Sequence, residues 1–106
     1  MAIAMLMDWP GKTMDDYGAV MSALRLDENP PSGGIFHVAG DDEGTLRILD
    51  IWESEDAWNT FLGTRLVPAI QAAGLEGEPN VRTYPVGNVY APDDAALEAL
   101  GTAAPV

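Results

Sequence analysis

The run GIFHVAGDDEGTLRILDIWES, Gly34 to Ser54, constrains the fold more than any other part of the chain. Two apolar stretches, about Ile35 to Ala39 and Leu46 to Trp52, flank the turn sequence GDDEG, which is the pattern of a β-hairpin. Successive side chains of a strand point to opposite faces of its sheet. Phe36, Val38, Leu49 and Ile51 make one face of this hairpin apolar, and Ile35 and Ile48 do the same for the other. A sheet built on this hairpin needs cover on both sides.

The rest of the chain supplies cover for one side. Ile3, Met5 and Met7 alternate with smaller residues over Ala2 to Asp8, which predicts a strand ended by the turn Trp9-Pro10-Gly11. Thr13 then caps a helix, with Asp16 three residues on to complete a capping box. Met14, Tyr17, Val20, Met21 and Leu24 give that helix one apolar face. DENPPSGG, Asp27 to Gly34, reads as a loop bordering a site. Ser54 caps a second helix whose first turn holds Glu55 and Asp56, where the helix dipole favours negative charge. Its apolar stripe is Trp58, Phe61, Leu62, Leu66, Ala69, Ile70 and Ala73, and Pro68 predicts a bend or break near Val67. A last strand falls within Val81 to Tyr90, and Pro85, which cannot donate to a ladder, implies either a sheet edge or a bulge there. Asp93 to Leu100 reads as a short helix or a frayed tail.

The order β-α-β-β-α-β predicts a ferredoxin-like α+β domain: a four-stranded antiparallel sheet with two helices on one face. Residues 1–90 form that domain and residues 91–106 a C-terminal tail. Because the helices cover one face only, a second copy packed sheet to sheet is the expected cover for the other, giving a symmetric homodimer.

Composition narrows the chemistry. The chain has 106 residues and no cysteine, which excludes disulfides, thiolate nucleophiles and cysteine-ligated metals. One histidine without cysteine argues against a metal site within one chain, with a hard cation held by acidic ligands as the alternative. The net charge is −12, from 17 acidic and 5 basic residues, and there is no basic stripe, so nucleic acid and anionic membrane surfaces are excluded as partners. MAIAMLM is too short for a signal-peptide core or a membrane span, so a cytoplasmic protein is expected. The chain holds no phosphate loop and no dinucleotide fingerprint, and no cofactor is expected.

His37 and Asp50 are the polar residues out of place in the hairpin. A two-residue turn at Asp42 and Glu43 sets His37 opposite Ile48 and Asp50 opposite Ile35, with His37, Asp50 and Trp52 on one face. A three-residue turn sets His37 with Arg47, Leu49 and Ile51 instead. The first register is preferred because it gathers the polar residues and leaves Arg47 and Glu53 on the other face. There a carboxylate beside an imidazole suits His37 as a general base or acid, oriented by Asp50. A strand histidine satisfied by a core partner is the bland alternative. Tyr17, Trp52, Trp58 and Phe61 would wall a binding site. Arg65 lies on the stripe of Trp58 and either clamps an anionic or enolate-like ligand, snorkels, or pairs with Asp50. Arg82 and Tyr84 share a face of the last strand and would line the site.

With HVAG (His37 to Gly40), LDIWES (Leu49 to Ser54), DAW (Asp56 to Trp58) and RLVPAI (Arg65 to Ile70) in this order, the chain resembles the dimeric α+β barrel superfamily over about Met1 to Asn88. Within it the chain resembles the antibiotic-biosynthesis-monooxygenase-like proteins. That resemblance implies a barrel dimer and includes cofactor-free oxygenases of polyketide-type rings, haem-degrading enzymes, isomerases and cyclases. The haem-degrading branch takes its haem ligand from a helix, whereas His37 belongs to a predicted strand. The expected function is proton abstraction from a small apolar or aromatic, polyketide-like molecule, leading to oxygenation, isomerisation or cyclisation. The alternative is a non-catalytic binding or structural barrel.

Overall fold

The computed structural model describes residues 1–91 and 93–95. Its elements are β1 (Ile3–Pro10), α1 (Met14–Leu24), β2 (Gly34–Asp42), β3 (Thr45–Trp52), α2 (Glu55–Phe61), a π-helical turn (Leu62–Leu66), α3 (Val67–Ala72) and β4 (Asn80–Pro85). The sheet order is β2-β3-β1-β4, antiparallel throughout, which is the expected ferredoxin-like α+β arrangement. The helix expected from Asp93 to Leu100 lies outside the described residues beyond 95.

Local chemistry explains the boundaries. Thr13 accepts from the Asp16 N–H at 3.2 Å while the Asp16 carboxylate accepts from the Thr13 N–H at 2.8 Å, the reciprocal capping box read from the sequence. Ser54 accepts from the Ala57 N–H at 3.0 Å and starts α2. β1 runs two residues past Asp8, because Trp9 pairs with Leu46 and buries its ring in the core, and the chain turns only at Gly11, where φ is +81°. Met14 stays 40% exposed, a departure from the expected face, because the contact between α1 and the sheet begins one turn later, at Tyr17. β4 is the edge strand beside β1 and ends at Pro85, so Val86 to Tyr90 fall outside it.

The helix is interrupted next to Val67, as Pro68 predicts, but by a π-helical turn rather than by a gap in the helix. The change of pitch comes one turn earlier, in Leu62–Leu66, where the Val67 N–H donates to the Leu62 carbonyl five residues back. A proline in an α-helix leaves the carbonyl four residues before it without a donor. The wider turn shifts the ladder ahead of Pro68, and Val67 keeps helical dihedrals.

The hairpin turn has two residues, as preferred, but they are Glu43 and Gly44 rather than Asp42 and Glu43. Their φ values of 50° and 87° give both central positions the positive φ that suits the twist of the strands. His37 therefore faces Asp50 directly, Ala39 faces Ile48, and Ile35 sits in a β-bulge between Gly34 and Phe36. The three-residue register is excluded.

The inner face of the sheet and the helices share one core. Ile3, Met5, Met7 and Trp9 of β1 pack with Leu46 and Trp52 of β3, Val20, Met21 and Leu24 of α1, and Trp58, Phe61, Leu66 and Ala69. The outer face carries Leu6, Phe36, Val38, Leu49, Ile51 and Tyr84, none of them buried. β2 is itself an edge strand, so Ile35, Phe36 and Val38 are 61%, 39% and 45% exposed in a single chain rather than buried. Arg47 lies on the outer face, between Asp8 at 2.7 Å and Asp42 at 2.6 Å, and these hydrogen bonds raise its guanidinium pKa.

Candidate functional site

β2 and β3 present His37 and Asp50 as a directly opposed cross-strand pair on the inner face. α1 crosses that face and brings Tyr17 to the imidazole from above. The result is a chain of hydrogen bonds through four side chains. Asp50 Oδ1 lies 2.5 Å from His37 Nδ1, and Asp50 Oδ2 accepts from Trp52 Nε1 at 3.1 Å. His37 Nε2 lies 2.6 Å from the Tyr17 hydroxyl, with the two rings stacked at 5.7 Å and 12°.

Donor and acceptor rules give this chain a direction. An ionised carboxylate only accepts, so the His37 proton sits on Nδ1 and points at Asp50. In the neutral imidazole Nε2 is then a lone pair, and Tyr17 donates to it. Asp50, 6% exposed, is the only buried charged side chain among the described residues, and both of its oxygens are engaged. Among those residues no buried side-chain nitrogen or oxygen lacks a partner. Burial, and secondarily the negative charge of Asp50, push the Tyr17 pKa up to about 12. Tyr17 thus stays a hydroxyl at any physiological pH.

These groups open onto a cavity of about 320 Å³ between sheet and helices. Its walls are apolar, with Met5, Met7, Met21, Trp58, Phe61 and Ile70 prominent, and Pro30 and Pro31 of the loop after α1 contribute to them. Trp52 and Phe61 stand 5.0 Å apart, and Trp52 and Trp58 5.7 Å, so the aromatic wall is continuous. No lysine or arginine lines the cavity among the described residues, nor do these residues hold a group of three potential metal ligands.

The structure brings together His37, Asp50, Tyr17, Trp52, Trp58 and Phe61. It does not bring in the arginines or Tyr84. Arg65 turns away from Asp50 and the cavity: its guanidinium donates to the Leu24 carbonyl at 3.0 Å and sits 5.6 Å over the Phe61 ring. It satisfies the carboxyl end of α1, where a free carbonyl attracts a cation. Arg82 and Tyr84 share a face as expected, but it is the outer one, opposite Leu6 and Ala4. Sequence reasoning placed Tyr17 only in the aromatic wall. Its bond to His37 spans twenty residues and two elements, and the signal available was a hydroxylated ring on the buried face of α1.

No protein-family model matches the sequence, and no curated protein matches it. Solved structures do. A protein of unknown function from Nitrosomonas europaea is 20% identical with a TM-score of 0.67, over 87% of this chain and 95% of that one. A variant of SnoaB, a cofactor-independent oxygenase from Streptomyces nogalater, is 10% identical with a TM-score of 0.64, over 87% of this chain and 98% of that one. A monooxygenase from the ActVA-Orf6 gene of Streptomyces coelicolor, in complex with nanaomycin D, is 16% identical with a TM-score of 0.59, over 87% and 93%. At these identities the likeness is one of fold: the chain shares its small α+β fold with these proteins.

Proposed function

We propose that the protein is a cofactor-independent enzyme that removes a proton from a neutral, apolar or aromatic, polyketide-like molecule. The observation that carries this reading is the Asp50–His37–Tyr17 chain ending in an apolar cavity. Asp50 holds the imidazole in the tautomer whose Nε2 is basic and offsets the positive charge that His37 gains with the proton. The apolar walls lower the local dielectric, which strengthens that electrostatic support. The carbanion or enolate formed then either reacts with dioxygen or rearranges to an isomeric or cyclised product. The fold shared with SnoaB and the ActVA-Orf6 monooxygenase supports the oxygenase branch.

The protein acts as a homodimer in this reading, the exposed outer face of one chain packed on that of its partner. The test is turnover of a neutral polycyclic phenol such as an anthrone, followed by oxygen uptake and product mass. Conversion by the wild type that falls at least a hundredfold in His37→Ala is expected. Equal rates in both would refute the role of His37.

One observation favours a second reading. Tyr17 occupies Nε2, and every buried polar side-chain atom among the described residues has a partner. A barrel that binds a small apolar molecule without turning it over would show the same closed network, and would bind the anthrone without converting it.

A further inference from the structure

The cavity walls are apolar, so the few polar atoms that reach it decide what it accepts. Each polar hydrogen of the network is committed within the protein. Trp52 Nε1–H and His37 Nδ1–H both point at Asp50, and the Tyr17 O–H points at His37 Nε2. What remains toward the cavity is the acceptor side of the Tyr17 oxygen, whose lone pairs no donor of the network takes.

We propose that Tyr17 is the catalytic group that touches the ligand, and that the site selects a neutral molecule carrying an O–H donor, a phenol or an enol, whose proton it relays to His37. This rests on the proton-abstraction reading above and assigns its contact residue. In the transfer, the ligand O–H bond breaks and a new O–H bond forms at Tyr17. The former Tyr17 O–H bond breaks as an N–H bond forms at His37 Nε2. The electron pair of the broken bond stays on the ligand oxygen as an enolate or phenolate. The new Tyr17 O–H then points at that oxyanion, so one hydroxyl accepts before the transfer and donates after it. The raised pKa of Tyr17 agrees with a relay in which its oxygen never stands as a free phenolate. With no cationic side chain lining the cavity among the described residues, a carboxylate or phosphate ligand would meet the buried Asp50 unaided.

Isothermal titration calorimetry with 1-naphthol and its methyl ether, 1-methoxynaphthalene, tests this. The wild type should bind the naphthol about tenfold more tightly, since the ether presents an acceptor to an acceptor. Tyr17→Phe, checked for folding by circular dichroism, should bind both with equal affinity. A wild type that binds the two equally, or a Tyr17→Phe variant that keeps the preference, overturns the relay and leaves the cavity as a binding site. Failure of the wild type to bind either probe overturns the functional reading of the cavity and the relay together. Equal binding of the two probes by the wild type overturns the relay even if the variant does not fold.

Discussion

Asp50→Asn and Asp50→Leu separate the two tasks of the carboxylate. Asp50 receives one hydrogen bond from His37 at 2.5 Å and one from Trp52 at 3.1 Å, in a position 6% exposed. Leucine removes both acceptors. Trp52, 3% exposed, is then left with an unpaired buried N–H, while His37, with its side chain 35% exposed, recovers water. One orphaned donor costs about 1–3 kcal/mol, offset in part by the relief of burying a charge, so a net loss near 2 kcal/mol is expected. In a domain of this size that lowers Tm by roughly 10 °C.

Asparagine behaves differently. Its carbonyl accepts from Trp52, and its amide donates to His37 Nδ1, provided that the imidazole moves its proton to Nε2. Nε2–H then donates to the Tyr17 oxygen, so both histidine bonds survive with their direction reversed while the Trp52 bond keeps its own. Stability should stay within about 1 kcal/mol of the wild type, while the basic lone pair facing Tyr17 disappears and turnover with it. The chain has one histidine, so nitrogen-15 NMR reports its tautomer without overlap. A protonated Nε2 in Asp50→Asn at neutral pH, against a protonated Nδ1 in the wild type, is expected. An unchanged tautomer, or an asparagine variant as unstable as the leucine one, would refute the directed chain of hydrogen bonds.

Tyr17 ties stability to alkaline pH. Its pKa is raised from 10.0 to about 12 in the fold, so its contribution is whole below pH 10 and is lost as pH rises through about 12. That contribution is roughly 2–3 kcal/mol, and denaturant midpoints followed from pH 9 to 12 should fall less steeply in Tyr17→Phe than in the wild type. Light scattering at micromolar concentration should return about twice the chain mass, and Val38→Lys on the outer face should shift it toward the monomer; a well-folded wild-type monomer would defeat the barrel. Arg65→Met keeps the stem over Phe61 but frees the Leu24 carbonyl, and should cost about 1 kcal/mol in urea unfolding with no change in ligand affinity. A large loss of affinity there would return Arg65 to the site. Deleting residues 91–106 should leave cooperative melting intact, since the β-α-β-β-α-β unit closes at Pro85.

Local chemistry made much of the molecule legible from its sequence. Thr13 with Asp16 and Ser54 with Ala57 cap their helices through bonds that span three residues, and a three-residue bond is visible in the chain order. The face shared by His37, Asp50 and Trp52 followed from the two-residue period of a strand and from the even length of the turn. That parity survived even though the turn sits one residue later than expected. It is the reason the His37–Asp50 pair was legible in the chain at all.

Tertiary structure decided everything that depends on which element lies above which. The rotation of α1 over the sheet brought the Tyr17 hydroxyl to 2.6 Å from His37, a contact that no periodicity encodes. Arg65 shares a stripe with Trp58, yet a long flexible side chain takes the nearest unpaired carbonyl, and the packing of α3 against α1 set the Leu24 oxygen there. Arg82 and Tyr84 share a face in any register, but only their pairing with Leu6 and Ala4 turns that face outward. Strand parity and helix caps are short-range and survive in any fold of the chain. The identity of a side chain's partner is a long-range fact, settled when helices and sheet close on one core.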